Sequence, residues 1–155
     1  MTGKIDGDFC VFLIGMRINR PLKIHKWLPP AMAMSRMFRE LRAHKQLGFL
    51  GSEAWFGRTV IVLQYWRSTT HLMEYAAAKN REHLPAWQAF TRAIGNSGDV
   101  GIWHETYSVK EGAYETIYHN MPPFGLGRVG TLVSATGRHQ SAKDRLGDVT
   151  QRPTT

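Results

Sequence analysis

The chain has 155 residues, a formal net charge of +8 and 43% hydrophobic residues. That length suits one domain with a packed core, and the hydrophobic content is ordinary for a globular protein. No apolar run approaches the roughly 20 residues of a membrane span, and a single cysteine, Cys10, excludes an internal disulfide and a cysteine-built zinc cluster. The opening MTGKIDGDF lacks the long apolar region of a secretory signal, so a cytoplasmic protein is expected. The basic residues are dispersed. Arg36, Arg39 and Arg42 recur at helical spacing, as a solvated helix face would require, and no zinc-finger, RRM-like or Walker pattern occurs. Nucleic acid is therefore the weaker reading of the charge.

The first element is FCVFLIGMRI, Phe9 to Ile18, a nearly continuous apolar run rich in strand formers. It reads as a central strand covered on both faces, with Cys10 a buried, inert thiol. Asn19-Arg20-Pro21 ends it, and Pro29-Pro30 is expected to open a helix from Ala31 to about Lys45, where Met34, Met37, Phe38 and Leu41 share one face. Two strands follow, about Phe49 to Phe56 and Arg58 to Trp66, with a tight turn at Gly57. Ser68 is a good N-cap for a helix through Tyr75 to Lys79. A second helical piece runs from about Leu84 to Ile94, with Leu84, Trp87, Thr91 and Ile94 as its inward stripe and Phe90 beside it. Gly95 and Gly98 close it.

Val100 to Val109 then alternates as a strand. His104 shares a face with Ile102 and Thr106, while Trp103, Glu105 and Tyr107 occupy the other. His104 and Glu105 therefore cannot pair within the strand. The order β, α, β, β, α, β predicts an α+β, ferredoxin-like antiparallel sheet with helices on one face. The bare face needs a cover, and a second copy of the sheet is the economical one, giving a homodimeric α+β barrel. After Pro123 the Gly-rich FGLGRVGTLVSATG is an arm that reaches over either the pocket or the partner. Residues 1–136 read as the barrel domain and 137–155 as a polar, disordered tail.

Seven phrases carry a resemblance that runs from about Asp8 to Gly127: VFLIGMRIN, HKWLPPAMAM, ELRAHKQLGFLG, LQYWRS, HLPAWQAF, GIWHETY and YETIYHNMPPFGLG. Together they resemble a monooxygenase-like family of small proteins in the dimeric α+β barrel superfamily, one member of which belongs to the fumagillin biosynthetic cluster. The resemblance implies that barrel fold. For activity it implies a range, because the same barrel hosts cofactor-free oxygenases, haem enzymes, isomerases and non-catalytic stress proteins.

No triad, metal-ligand spacing or phosphate loop is present, so the candidates are single residues. His104 and His83 meet if the second helix packs on the sheet that carries the Asp99 strand. Either serves as general base toward a phenolic or enolisable substrate, or as axial ligand if haem binds. The plain alternative is a structural histidine, which for His83 means a solvent-facing cap. Glu105 is the third catalytic candidate. In an apolar barrel its pKa would rise, whereas a partner such as Arg17 or Arg67 would make it an ion pair instead. Trp66, Trp87, Trp103, Tyr107 and Tyr118 are candidates to line a pocket for a flat apolar ligand, and Asn120 to hydrogen-bond a substrate oxygen or to shape a turn.

The expected function is a monooxygenase acting on a small hydrophobic substrate, cofactor-free or haem-assisted. The alternatives are a non-catalytic small-molecule- or haem-binding stress-response protein, and a dehydratase or isomerase.

Overall fold

The structure, a computed structural model, describes residues 1–81, 83–95 and 97–146. The first strand, β1, is Thr2–Lys4, and the apolar run Phe9–Ile18 is β2. Helix α1 spans Ile24–Ala43. It begins about two turns before the expected start at Ala31 and holds Pro29 and Pro30 in its interior. Proline there removes two in-helix donors, so contacts outside the helix must hold its opening turns. They do: the Trp27 indole donates to the Pro21 carbonyl at 2.9 Å, and Lys23 Nζ reaches both Asp99 carboxylate oxygens at 2.9 and 3.0 Å.

A short 3-10 turn, Lys45–Leu47, ends at Gly48, whose φ of 78° lies in the left-handed region glycine tolerates. The hairpin follows as β3 (Phe49–Trp55) and β4 (Thr59–Trp66). Helix α2, Thr69–Ala77, is capped by Ser68, whose hydroxyl accepts from the His71 backbone N–H at 3.3 Å. Helix α3 is His83–Ile94, and strand β5 is Val100–Val109.

The four long strands pair antiparallel in the order β3-β4-β2-β5. With α1, α2 and α3 on one face, this is the ferredoxin-like α+β arrangement. Leu13 stands opposite Leu63 on one side and Glu105 on the other, and Ile14 opposite His104. Alternation then sends Cys10, Phe12, Ile14, Gln64, Trp66, His104 and Thr106 toward the helices. Cys10, Trp66, Leu41, Leu72 and Tyr75 form the buried cluster that fastens α1 and α2 to the sheet. Each such large apolar side chain contributes roughly 1.5–3 kcal/mol by leaving water, and Phe49 meets the Trp66 ring edge-on at 5.4 Å.

The opposite face is partly covered by the first strand and by the segment after Pro123. Strand β1 pairs with β6 (Thr131–Val133), and with helix α4 (Leu126–Val129) it encloses Ile5, Phe9, Tyr65 and Leu126. The Gly-rich arm thus packs on the face away from the helices. Within the expected tail, Gly137–His139 forms a 3-10 turn and Ala142–Leu146 a short helix, α5, whose Arg145 pairs with Glu115 through Nε at 2.7 Å. Residues 147–155 of that tail lie outside the described residues. No helix among the described residues is long and apolar enough to cross a membrane.

Candidate functional site

Where α1, α2 and α3 cross the sheet they leave a cavity of about 250 Å³. Strands supply its floor through Phe12, Ile14, Gln64, Trp66, His104 and Thr106, and the helices line it with Met34, Met37, Phe38, Leu72, Tyr75, His83 and Trp87, leaving it open along the edge where His104, Thr106 and Trp87 are exposed. No lysine, arginine, aspartate or glutamate is among the lining residues. The site is an apolar hollow with a few polar groups, the usual make-up of a small-molecule pocket.

His83 and His104 both reach it, although 21 positions separate them in the chain. Nδ1 of His83 lies 3.2 Å from the Ala76 carbonyl oxygen. A carbonyl only accepts, so Nδ1 carries the proton and, in the neutral ring, Nε2 keeps its lone pair. Burial pushes the His83 pKa down from its ordinary value, and the charge of His104 acts in the same direction. The ring is therefore a neutral base of fixed tautomer. It is not the solvent-facing cap that its place at a helix start suggested. His104 is exposed on the edge strand β5, its ring centroid 5.7 Å from that of Phe12, and it makes no hydrogen bond among the described residues.

Besides Thr106, the polar side chains of Tyr75 and Gln64 line the same space. The Tyr75 hydroxyl donates to Glu40 Oε2 at 2.9 Å, and Arg81 lies 3.4 Å from the same carboxylate. Gln64, 6% exposed, accepts a hydrogen bond from the Trp66 indole at 2.9 Å. The sequence reading passed over Gln64. Its signal was there in TVIVLQYW, where it is the one polar side chain on the face shared with Val62 and Trp66.

The remaining sequence candidates divide. Trp66 and Trp87 line the cavity, Trp87 near its rim and stacked on Phe90 with centroids 5.9 Å apart. Trp103, Glu105 and Tyr107 lie on the other face of β5 and do not reach it. Glu105 accepts from Tyr107 Oη at 2.5 Å and from Trp103 Nε1 at 2.8 Å. Those bonds hold its carboxyl below the usual range, opposite to the rise expected of an apolar barrel. Neither expected arginine is its partner: Arg17 donates to Thr59 at 3.0 Å, and Arg67 to the Asp6 carbonyl at 3.5 Å. Tyr118 uses its hydroxyl to accept from the Gly127 backbone at 2.9 Å, and Asn120 is an exposed turn residue with φ of 53°.

The model of the monooxygenase af470-like family matches residues 9–126, which is every strand of the sheet and all three long helices. The chain belongs to the monooxygenase af470-like family. Monooxygenase af470 of Aspergillus fumigatus is 32% identical over 168 aligned positions, covering 91% of this chain and 59% of that protein. The chain thus spans 59% of the length of that relative. Among solved structures, an aldoxime dehydratase in complex with butyraldoxime superposes with a TM-score of 0.59 at 13% identity, over 69% of this chain and 33% of that one. A protein proposed as an antibiotic biosynthesis monooxygenase from Caulobacter crescentus gives 0.49 at 12% identity, over 70% and 94% of the two chains. The aldoxime dehydratase match shows the shared fold.

For a family member on this fold, haem needs testing against the residues present. His83 Nε2 has the chemistry of an axial ligand, its other nitrogen being held by a carbonyl as ligating histidines usually are. The rest does not fit. Haem carries two propionates, and the cavity offers no cation to receive them. The adjoining groove under α1 has Arg42 and Arg128 but no histidine. No group of three or more potential metal ligands occurs among the described residues.

Proposed function

We propose that the chain is a cofactor-free monooxygenase that oxidises a small, flat, hydrophobic compound in the cavity between the sheet and its helices. The observation that carries this reading is His83, a neutral base with its lone pair on Nε2, lining an otherwise uncharged hollow together with His104. Family membership supports the reaction class.

In this reading the substrate supplies the electrons. His83 removes a proton from an activated CH₂ group next to a carbonyl or phenol, and the apolar walls leave the resulting carbanion poorly solvated and reducing. Dioxygen adds to that carbon, and the peroxide anion takes the proton back from a histidine. Loss of the second C–H proton breaks the O–O bond and expels hydroxide, which leaves as water. The net change is one CH₂ and one O₂ to one C=O and one H₂O, with four electrons passing from carbon to oxygen. His104 is the second proton carrier.

We also propose a homodimer. Trp103 and Tyr107 are 36% and 49% exposed on the sheet face that the first strand and the segment after Pro123 leave open, and a second copy would cover them.

The test is oxygen uptake with anthrone, an enolisable tricyclic ketone that is oxidised at one CH₂. Uptake equal to ketone formed, with one heavy-isotope atom from labelled dioxygen in the product, supports the reading. Proton exchange at that CH₂ without oxygen uptake would replace it with an isomerase-type activity.

A further inference from the structure

Resting on that reading of the cavity, we infer that Gln64 is the substrate-positioning residue, and that the ligand is a neutral, flat molecule with one carbonyl-type acceptor oxygen placed against its amide NH₂ group.

Trp66 fixes which end of the Gln64 amide is free. An indole N–H can only donate, so the Gln64 atom 2.9 Å from Trp66 Nε1 must be the amide oxygen. That fixes the flip of a side chain whose two ends are otherwise interchangeable. The NH₂ end is then the free one. Gln64 makes no other side-chain hydrogen bond among the described residues. Yet no fully enclosed side-chain nitrogen or oxygen among them lacks a partner, so this amide nitrogen has open space before it. Gln64 lines the cavity, and that is where the space lies.

A buried donor facing an apolar hollow selects strongly for a ligand that satisfies it, because a ligand lacking an acceptor leaves the donor dry. Charge narrows the class further. Without a cation in the lining, a carboxylate or phosphate would lose its hydration with nothing in return. The ligand therefore enters uncharged and becomes an anion only when a histidine takes its proton. At that moment the amide N–H faces the oxygen on which the charge collects, so the contact strengthens as the reaction proceeds.

The test uses binding under nitrogen, followed by quenching of tryptophan fluorescence and by calorimetry. The probes are acetonaphthone, ethylnaphthalene, which lacks its carbonyl oxygen, and naphthoate. The wild type should bind acetonaphthone about tenfold more tightly than ethylnaphthalene, the range expected of one buried hydrogen bond, and naphthoate should bind at least as weakly as the hydrocarbon. Gln64→Met should abolish the ketone preference while keeping hydrocarbon binding. Because that change also strips Trp66 of its acceptor, the infrared carbonyl band of bound acetonaphthone provides a second reading in the unaltered protein. A band shifted to lower frequency than in hexane, and restored in Gln64→Met, supports the inference. A band at the hexane position, an unchanged preference in the variant, or tightest binding of naphthoate overturns it. None of these readouts consumes oxygen, so failure of the oxygenase reading leaves them standing, and their failure leaves oxygen uptake to be judged separately.

Discussion

The Nδ1–H of His83 points at the carbonyl oxygen of Ala76, 3.2 Å away, across the junction between α2 and α3. That single bond decides which nitrogen of the ring can accept a proton, and it depends on the two helices meeting at this angle.

Burial, aided by the nearby His104, holds His83 below its ordinary value of 6.5. Only the neutral ring accepts a proton, so kcat/KM for anthrone oxidation should fall as pH drops through a midpoint below 6.5. The same shift bears on folding. The unfolded chain binds this proton more readily than the folded one, so its contribution to stability is present above the ordinary histidine value and is lost as pH falls through it toward the folded value. A pH–rate profile of His83→Phe beside the wild type checks the first part, and the acid limb should vanish.

Glu105 should be dispensable for turnover. Its carboxylate faces away from the cavity and is occupied by Tyr107 and Trp103. Glu105→Gln is expected to keep kcat within about twofold of the wild type, since general acid–base groups are worth about 10²–10⁴ when removed. A loss on that larger scale would place catalysis on the other side of the sheet.

Asp99, 1% exposed, sits at the mouth of β5 between Lys23 and Arg20, at 2.9 Å and 3.4 Å. The hydrogen bond from Lys23, with the charges of Lys23 and Arg20, holds its carboxyl below the usual range. Its stabilisation is therefore complete above the unfolded carboxylate value and disappears as pH falls through the lower, folded one. Asp99→Asn should lower the urea midpoint near neutral pH and reduce the dependence of that midpoint on acid, as followed by circular dichroism.

Much of this was legible beforehand for physical reasons. Strict alternation in β5 assigned His104 and Glu105 to opposite faces, and a helix on the His104 face of the sheet is enough to bring His83 and His104 to one cavity. What periodicity does not encode was missed. The early start of α1 depends on Trp27 and Lys23 reaching Pro21 and Asp99, contacts that no local propensity announces. The partners of Glu105 proved to be its own strand neighbours two positions away, because side chains on one face of an edge strand can bend toward each other where no helix covers them. Gln64 went unnoticed because attention fell on titratable groups, although a lone amide on an apolar strand face carries as much information.

The open part of the sheet makes its own prediction. Trp103 lies against Gly15 of the neighbouring strand, with Ile61 beyond it, and together they present an apolar patch. Trp103→Glu should convert a dimer to a monomer in sedimentation velocity. A wild-type protein that sediments as a monomer would remove the proposed partner.

The central claim is that an imidazole in this cavity starts the oxidation. The most direct measurement is the initial rate of oxygen uptake with anthrone for the wild type, His83→Phe and His104→Phe, each with its fold verified by circular dichroism. The account predicts a loss of about 10²–10⁴ for His83→Phe and a smaller loss for His104→Phe. Wild-type rates in both folded variants, or no uptake above the protein-free rate in any of them, would contradict it.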